Sequence, residues 1–218
     1  MDKKKDTMIK DAIILCVITL VLGAVLAGVY SITKEPIEQA QAKANNEACA
    51  SVVQEGDQVQ DADAELLKQA SEYLQQHDLS NQQVSDGGEN LLTHVEIEEV
   101  HPTNNGGLVF LATATKGYGG DIGFALGVGA DGAITGIAIT SEAETAGLGA
   151  NCENKEWQAG FKGKVAPSNP AKNMYYKSTP EEESSQVQAL SGATVTTRAI
   201  TNAVKGIMFF ADTVRGAE

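Results

Sequence analysis

Hydrophobic positions along the chain fall into three regimes. The first is unbroken: residues 12–30 (AIILCVITLVLGAVLAGVY) form a run of 19 without a charge. As a helix rising ~1.5 Å per residue, such a run covers roughly 28 Å, close to the hydrocarbon core of a bilayer at about 30 Å. The second regime is helical spacing. Between Glu35 and Leu79 the chain is rich in Ala, Gln, Glu and Asp, and Leu66, Leu67, Ala70, Tyr73 and Leu74 recur every three or four residues. That spacing predicts one or two helices, a stalk between the apolar run and the remainder of the chain. The third regime is a set of short apolar strings punctuated by Gly: residues 108–115, 122–128 and 134–140, with 95–100 as a possible fourth. These predict antiparallel strands. Asp131-Gly132 supplies the positive φ of a tight hairpin between the last two. Residues 80–90, polar and containing Gly87-Gly88, predict a loop. Helical spacing returns from Arg198, where Ile200, Val204, Ile207 and Met208 share one face. The order predicts an α+β fold: a single N-terminal transmembrane helix, a helical stalk, an antiparallel-sheet domain and a C-terminal helix. The expected divisions are 1–11 for a cytoplasmic N-terminus, 12–33 for the membrane helix, 34–90 for stalk and linker, and 91–218 for the domain.

The flanks of the apolar run set its orientation. Lys3, Lys4, Lys5 and Lys10 precede it, and Lys34 then Glu35 come after it. The excess of Lys before the run places the N-terminus in the cytoplasm and the domain on the extracellular or periplasmic side. A cleaved leader fits less well. Ala48-Cys49-Ala50 has the small-x-small form but lies far downstream, and Leu26-Ala27-Gly28 is followed by Val29 where a lipoprotein signal needs Cys.

Composition changes the picture only once the run is set aside. The whole chain has mean hydropathy −0.16 and formal charge −13. Residues 1–30 hold four Lys and three Asp, so residues 31–218 carry 12 basic and 26 acidic side chains, a net −14. Such a domain repels nucleic-acid phosphates, which excludes nucleic acid as a partner. Aromatics are 5% of the chain, with one Trp, so the core is expected to be mainly aliphatic. His77, His94 and His101 show no ligand spacing, and no C-x-x-C pattern suggests a metal site. Cys16 lies in the apolar run. Cys49 and Cys152 lie beyond it and are open to two readings, a disulfide in an oxidising compartment or two free thiols.

Two short segments are candidates for chemistry. Residues 191–196 (SGATVT) open the last helix. Thr194, Thr196 or Thr197 can cap its start, and small Ser191, Gly192 and Ala193 let an anionic ligand approach the free N–H groups and the positive end of the helix dipole. Taken alone, the same residues also describe an ordinary capped helix. Residues 142–149 (EAETAGLG) form a loop whose two glycines permit close backbone approach. Trp157 and Phe161 stand at helical spacing, which suits core packing.

SGATVT matches S-G-A-T-x-T, and with it the sequence resembles the FMN-binding domain of the G subunit of Rnf/Rsx electron-transport complexes. The C subunit of the sodium-pumping NADH:quinone oxidoreductase is similar. The resemblance runs along almost the whole chain: one N-terminal span, a helical stalk, the turn KGYGG, the hairpin DGAITGI, the loop ETAGLG, then WQAGF and SGATVT. It implies FMN joined covalently, by a phosphodiester, to Thr196, installed from FAD by a separate flavin transferase with a divalent metal. It implies further that Thr194 orients the motif or meets phosphate, and that Glu144, Thr145, Gly147, Leu148 and Gly149 lie against the ring or ribityl chain. The subunit would then be an electron relay within a membrane complex that couples ferredoxin oxidation and NAD+ reduction to Na+ or H+ movement. It would work among the other membrane subunits rather than as a free-standing enzyme. Two positions depart from the family pattern: Gln188 stands where Asp is usual, and Ala146 where Pro is usual. Other roles compatible with the residues are an FMN-binding domain serving a different extracellular reductase chain, and a non-redox anchored binding module. A Ser-x-x-Lys spacing at Ser31 and Lys34 lacks the companion motifs of a serine hydrolase.

Overall fold

The computed structural model describes residues 2–76, 94–169 and 172–216. His77, Leu79 and the expected loop at 80–90 lie outside them. The chain divides into two compact units, Met1–Ala44 and Asn45–Glu218.

Helix α1 (Asp2–Ser51) makes up the first unit and enters the second with its last residues. Its large apolar side chains from Ile13 to Ile37 are exposed on every side, between 50% and 77%. It is the one helix among the described residues long and apolar enough to cross a membrane, with mean hydropathy 2.7 over its best window. A helix that is apolar all round is stable only where a non-aqueous medium covers it. The Thr19 hydroxyl within the run donates to the Leu15 carbonyl at 3.0 Å, and that of Thr33, just past it, to the Val29 carbonyl at 2.9 Å. Cys16 is exposed on this helix.

The second unit is built on a four-stranded antiparallel meander: β1 (Val95–Pro102), β2 (Leu108–Ala114), β3 (Ile122–Val128) and β4 (Ile134–Ser141), in spatial order β1-β2-β3-β4. The register brings Phe110, Leu126 and Ile137 into one row and Ala112, Phe124 and Ile139 into the next, all on one face. Val109, Gly127 and Gly136, and then Leu111, Ala125 and Ala138, line the other. Both faces are covered. On the first lie α2 (Ala64–Gln76) and α4 (Thr194–Arg215); Tyr73 and Phe110 meet the same Phe210 ring at 5.9 and 6.1 Å. On the second lie Ala48, Cys49 and Val52 at the end of α1. A sheet buried on both sides needs no polar alternation, which is why every residue of β3 is buried. The glycine row at 127 and 136 is what admits Val52, since a Cβ at Gly136 would stand 3.1 Å from the Val52 Cα. The Thr135 hydroxyl donates to the Val52 carbonyl across the same contact.

The predicted hairpin is present. Gly132 has φ +80°, Asp131 Oδ1 accepts the Ala133 N–H at 3.0 Å, and Gly129 N–H reaches the Ala133 carbonyl at 2.8 Å. Arg215, in the last turn of α4, donates from Nε to the Ala130 carbonyl at 2.9 Å and so ties the terminal helix to this turn.

The sheet decides between the two readings of the cysteines. Cys49 belongs to the cluster on one face and Cys152 to the cluster on the other, and both are buried free thiols. Burial, reinforced by the carboxylates of Glu142, Glu153 and Glu144, pushes the Cys152 thiol up to about 12.

Helix α4 also buries a lysine. Lys205 is 1% exposed and donates from Nζ to the Lys172 carbonyl at 3.1 Å. Desolvation lowers its pKa from 10.5 to about 8. The folded state therefore releases this proton before the unfolded chain does, so the contribution of Lys205 to stability rises as pH climbs from about 8 toward 10.5. Cys152 acts in the opposite sense above pH 9, where only the unfolded thiol ionises. The clean window is pH 8 to 9. Denaturant unfolding there should show wild type gaining up to about 1 kcal/mol relative to Lys205→Met. Parallel curves for the two proteins would show that the buried amine does not titrate in this range.

Candidate functional site

The segment that opens α4 is shaped by its smallest residues. Val187 and Gln188 form a short parallel pair, β6, with β5 (Tyr175–Tyr176). The Trp157 indole N–H holds the Gln188 carbonyl at 2.8 Å, while its ring packs edge-on against Phe161 at 5.0 Å. Trp157 thus anchors the strand that feeds the motif. The Gln188 side chain is exposed, so the departure at this position alters the surface beside the motif and not its internal bonds. Gly192 then takes φ +73°, and Ala193 N–H closes a turn on the Leu190 carbonyl at 3.1 Å.

The three threonines part company here, and the expected capping role goes to none of them. The residue before α4 is Ala193, and no side chain caps the helix. Helix geometry begins at Thr194, earlier than the apolar spacing from Arg198 indicated, so Thr196 and Thr197 stand inside the first turn. Thr197 Oγ1 faces inward, donating to the Ala193 carbonyl at 2.9 Å and accepting the Leu190 N–H at 3.0 Å. Thr194 is half-buried. Thr196, 1% exposed, donates from Oγ1 to Glu144 Oε2 at 2.6 Å.

Glu144 arrives from the loop after β4. Its other oxygen, Oε1, accepts the Gly119 N–H at 2.9 Å, and its own N–H donates to Glu142. One carboxylate therefore joins the turn at 117–120, the loop at 142–149 and the first turn of α4. Gly149 makes this junction possible: a Cβ there would stand 2.6 Å from Thr196 Oγ1 and 2.8 Å from Glu144 Cβ.

The loop itself is a type II turn closed by Leu148 N–H to the Thr145 carbonyl at 3.0 Å, with Gly147 at φ +77° in the position that demands it. Ala146 occupies the position where such turns favour Pro. Ala146→Pro should raise stability by about 0.4–1 kcal/mol by restricting the unfolded chain. A melting temperature lower than wild type would show that the turn does not accept the ring.

These segments enclose a cleft of about 410 Å³ lined by Tyr118, Glu144, Thr145, Leu148, Gly149, Gly192, Ala193, Thr194, Val195 and Thr196. Of the candidates from sequence, Glu144, Thr145, Leu148, Gly149, Gly192, Ala193, Thr194 and Thr196 meet here. Ser191, which is exposed, and Gly147, which serves the turn, are not in its wall. Tyr118 and Val195 line the cleft, and Gly119 holds its carboxylate, without having been singled out from the sequence. A readable signal existed for Tyr118 in the KGYGG turn. Beyond residue 37, the large apolar side chains exposed among the described residues are Tyr118 (73%), Leu148 (44%) and Val195 (43%), and all three rim this cleft. Apolar surface concentrated around one concavity with a polar floor is the usual form of a small-molecule or partner site.

A family model described as FMN-binding domain matches residues 117–208, which contain every residue of the cleft wall. Residues 117–208 are thus similar to FMN-binding domains, and they follow an apolar helix in the sequence. A second model, described as RnfG N-terminal region, matches residues 1–52. Among curated proteins, the G subunit of the Na(+)-translocating ferredoxin:NAD(+) oxidoreductase complex of Acetobacterium woodii is 40% identical over 90 residues, 41% of this chain and 42% of that protein. The G subunit of the ion-translocating oxidoreductase complex of Aliivibrio fischeri is 26% identical over 206 residues, 94% of this chain and 90% of that protein. Among solved structures, Shewanella oneidensis NqrC aligns with TM-score 0.44 at 22% identity, covering 55% of this chain and 62% of the other.

Proposed function

We propose that this protein is the membrane-anchored, electron-carrying G-type subunit of an Rnf-type ion-translocating ferredoxin:NAD+ oxidoreductase complex, holding FMN through a phosphodiester to Thr196. The observation that carries the reading is the position of Thr196 Oγ1. Thr196 lines the cleft within the matched FMN-binding region and its Oγ1 meets Glu144, another residue of the wall, while the hydroxyl of its neighbour Thr197 is committed twice to local backbone.

The residues present fit the group. The volume lies in the range of small-molecule sites, about 300–1,000 Å³. Tyr118, Leu148 and Val195 offer apolar contact to a planar ring system. The first turn of α4 offers backbone N–H groups without intrahelical partners to a phosphate. Gly192 carries no Cβ that would narrow the approach. When bound, the flavin supplies one- and two-electron redox chemistry; the chain supplies position, a dry wall and fixed dipoles. A covalent tether also prevents loss of the cofactor on the side of the membrane where it is not replenished.

In this reading residues 1–11 face the cytoplasm, 12–33 cross the membrane, and the compact unit that begins at Asn45, with α2 packed on its sheet, carries FMN on the extracellular or periplasmic side. A flavin transferase matures the subunit, and the other membrane subunits of the complex are its electron partners. The test is to co-express the full chain with a flavin transferase, measure intact mass and in-gel fluorescence, and map the modified peptide. The expected result is one FMN-phosphoryl adduct on the peptide containing residues 191–198. An unmodified mass under conditions that flavinylate a known acceptor would overturn the reading.

A further inference from the structure

The hydroxyl assigned as acceptor is already engaged by a carboxylate. Thr196 Oγ1 and Glu144 Oε2 stand 2.6 Å apart, within the short range of an O–H···O⁻ bond. Resting on the reading of Thr196 as acceptor, we propose that Glu144 aligns this hydroxyl for flavin transfer and takes its proton as the new bond forms.

Geometry carries the assignment. The Glu144 carboxylate is held at its far oxygen by the Gly119 N–H at 2.9 Å, and Gly149 packs directly against both partners. The group is therefore fixed in orientation. Thr194 and Thr197 have no hydrogen bond to a carboxylate among the described contacts, which distinguishes Thr196 from its neighbours in the motif.

The step balances without any redox change. Thr196 Oγ bonds to the FMN phosphorus of a flavin adenine dinucleotide presented by the transferase. The phosphoanhydride bond on that phosphorus breaks and AMP leaves with the bond's electron pair. The hydroxyl proton passes to Glu144. This also answers an electrostatic difficulty, since a carboxylate beside a new phosphodiester would repel it. On accepting the proton Glu144 becomes neutral at the moment the phosphate charge arrives. The alternative is a purely structural clamp between loop and helix.

The two are separated by kinetics on the full-length chain in detergent, with transferase, flavin adenine dinucleotide and a divalent metal. Adduct is followed by fluorescence and intact mass against acceptor concentration. Glu144→Gln keeps shape and can still accept the Gly119 bond, but it cannot take the proton. Its maximal rate should fall about a hundredfold, as loss of a positioned base does, with the half-saturating acceptor concentration unchanged. Glu144→Asp should recover part of the rate. A Glu144→Gln protein that flavinylates at the wild-type maximal rate, or one that only raises the half-saturating concentration, overturns the proposal while leaving Thr196 as acceptor. A Glu144→Asp protein no faster than Glu144→Gln also overturns it. Absence of adduct in wild type would remove the acceptor reading and this proposal with it.

Discussion

The Thr196→Ala protein is expected to carry no flavin: its intact mass after co-expression with transferase should equal that of the unmodified chain, and its band should not fluoresce. The argument is one of hydroxyl supply. Three threonines lie within four positions of one another. Thr197 Oγ1 both donates to the Ala193 carbonyl and accepts the Leu190 N–H, so freeing it would break the turn that presents the motif. Thr194 lines the cleft, but none of the described hydrogen bonds joins its hydroxyl to a carboxylate. Only Thr196 both lines the cleft and meets a carboxylate. Thr196→Ser, which keeps the hydroxyl, should retain the adduct, and so should Thr194→Ala. The substitution also removes a hydrogen bond to a charged acceptor, worth about 1.5–3 kcal/mol, so circular dichroism should accompany the mass measurement to establish folding. Wild-type flavin content in a folded Thr196→Ala protein would move the attachment site to another residue.

The second large effect is expected at Gly149. An added methyl would overlap Thr196 Oγ1 and Glu144 at once, and the Glu144 Cβ, close to the backbone, has little freedom to retreat. Overpacking of a closed site typically costs about 1–3 kcal/mol. For a unit of this size that is a fall in melting temperature of roughly 3–10 °C. Because the same methyl drives the hydroxyl and carboxylate apart, adduct formation should drop with stability. Gly147→Ala is the control. Gly147 also carries a positive φ, +77°, but a Cβ there meets nothing within 4 Å. It should cost about 1 kcal/mol of backbone strain and leave flavin loading intact. Equal loading in both variants would show that Gly149 is conformational only.

Much of this architecture was legible because the information is local. A run of 19 residues without a charge has few structural uses, and the exposed side chains from Ile13 to Ile37 have the character that run implied. The strands at 108–114, 122–128 and 134–141 followed from β-branched and apolar strings bounded by glycine, and the hairpin from Asp131-Gly132. The cap of α4 is less legible, for a physical reason. The apolar spacing starts only at Ile200, whereas the first turn holds Thr196, bonded to a loop carboxylate, and Thr197, bonded to local backbone, neither of them capping the helix.

The sequence by itself determined a helix long and apolar enough to cross a membrane, the meander, and the two short segments in which chemistry would reside, because backbone propensity and burial pattern are written in neighbouring residues. It could not determine that these segments meet. Glu144 and Thr196 are 52 positions apart, and only the folded sheet, with α4 laid across one face, brings the carboxylate to 2.6 Å from the hydroxyl. The same sheet sends Cys49 and Cys152 to opposite faces and gathers Tyr118, Leu148 and Val195 around one cleft. Such contacts depend on register and packing over long separations, which no local pattern encodes. Tertiary structure alone therefore decided which of the three threonines in this turn meets a carboxylate.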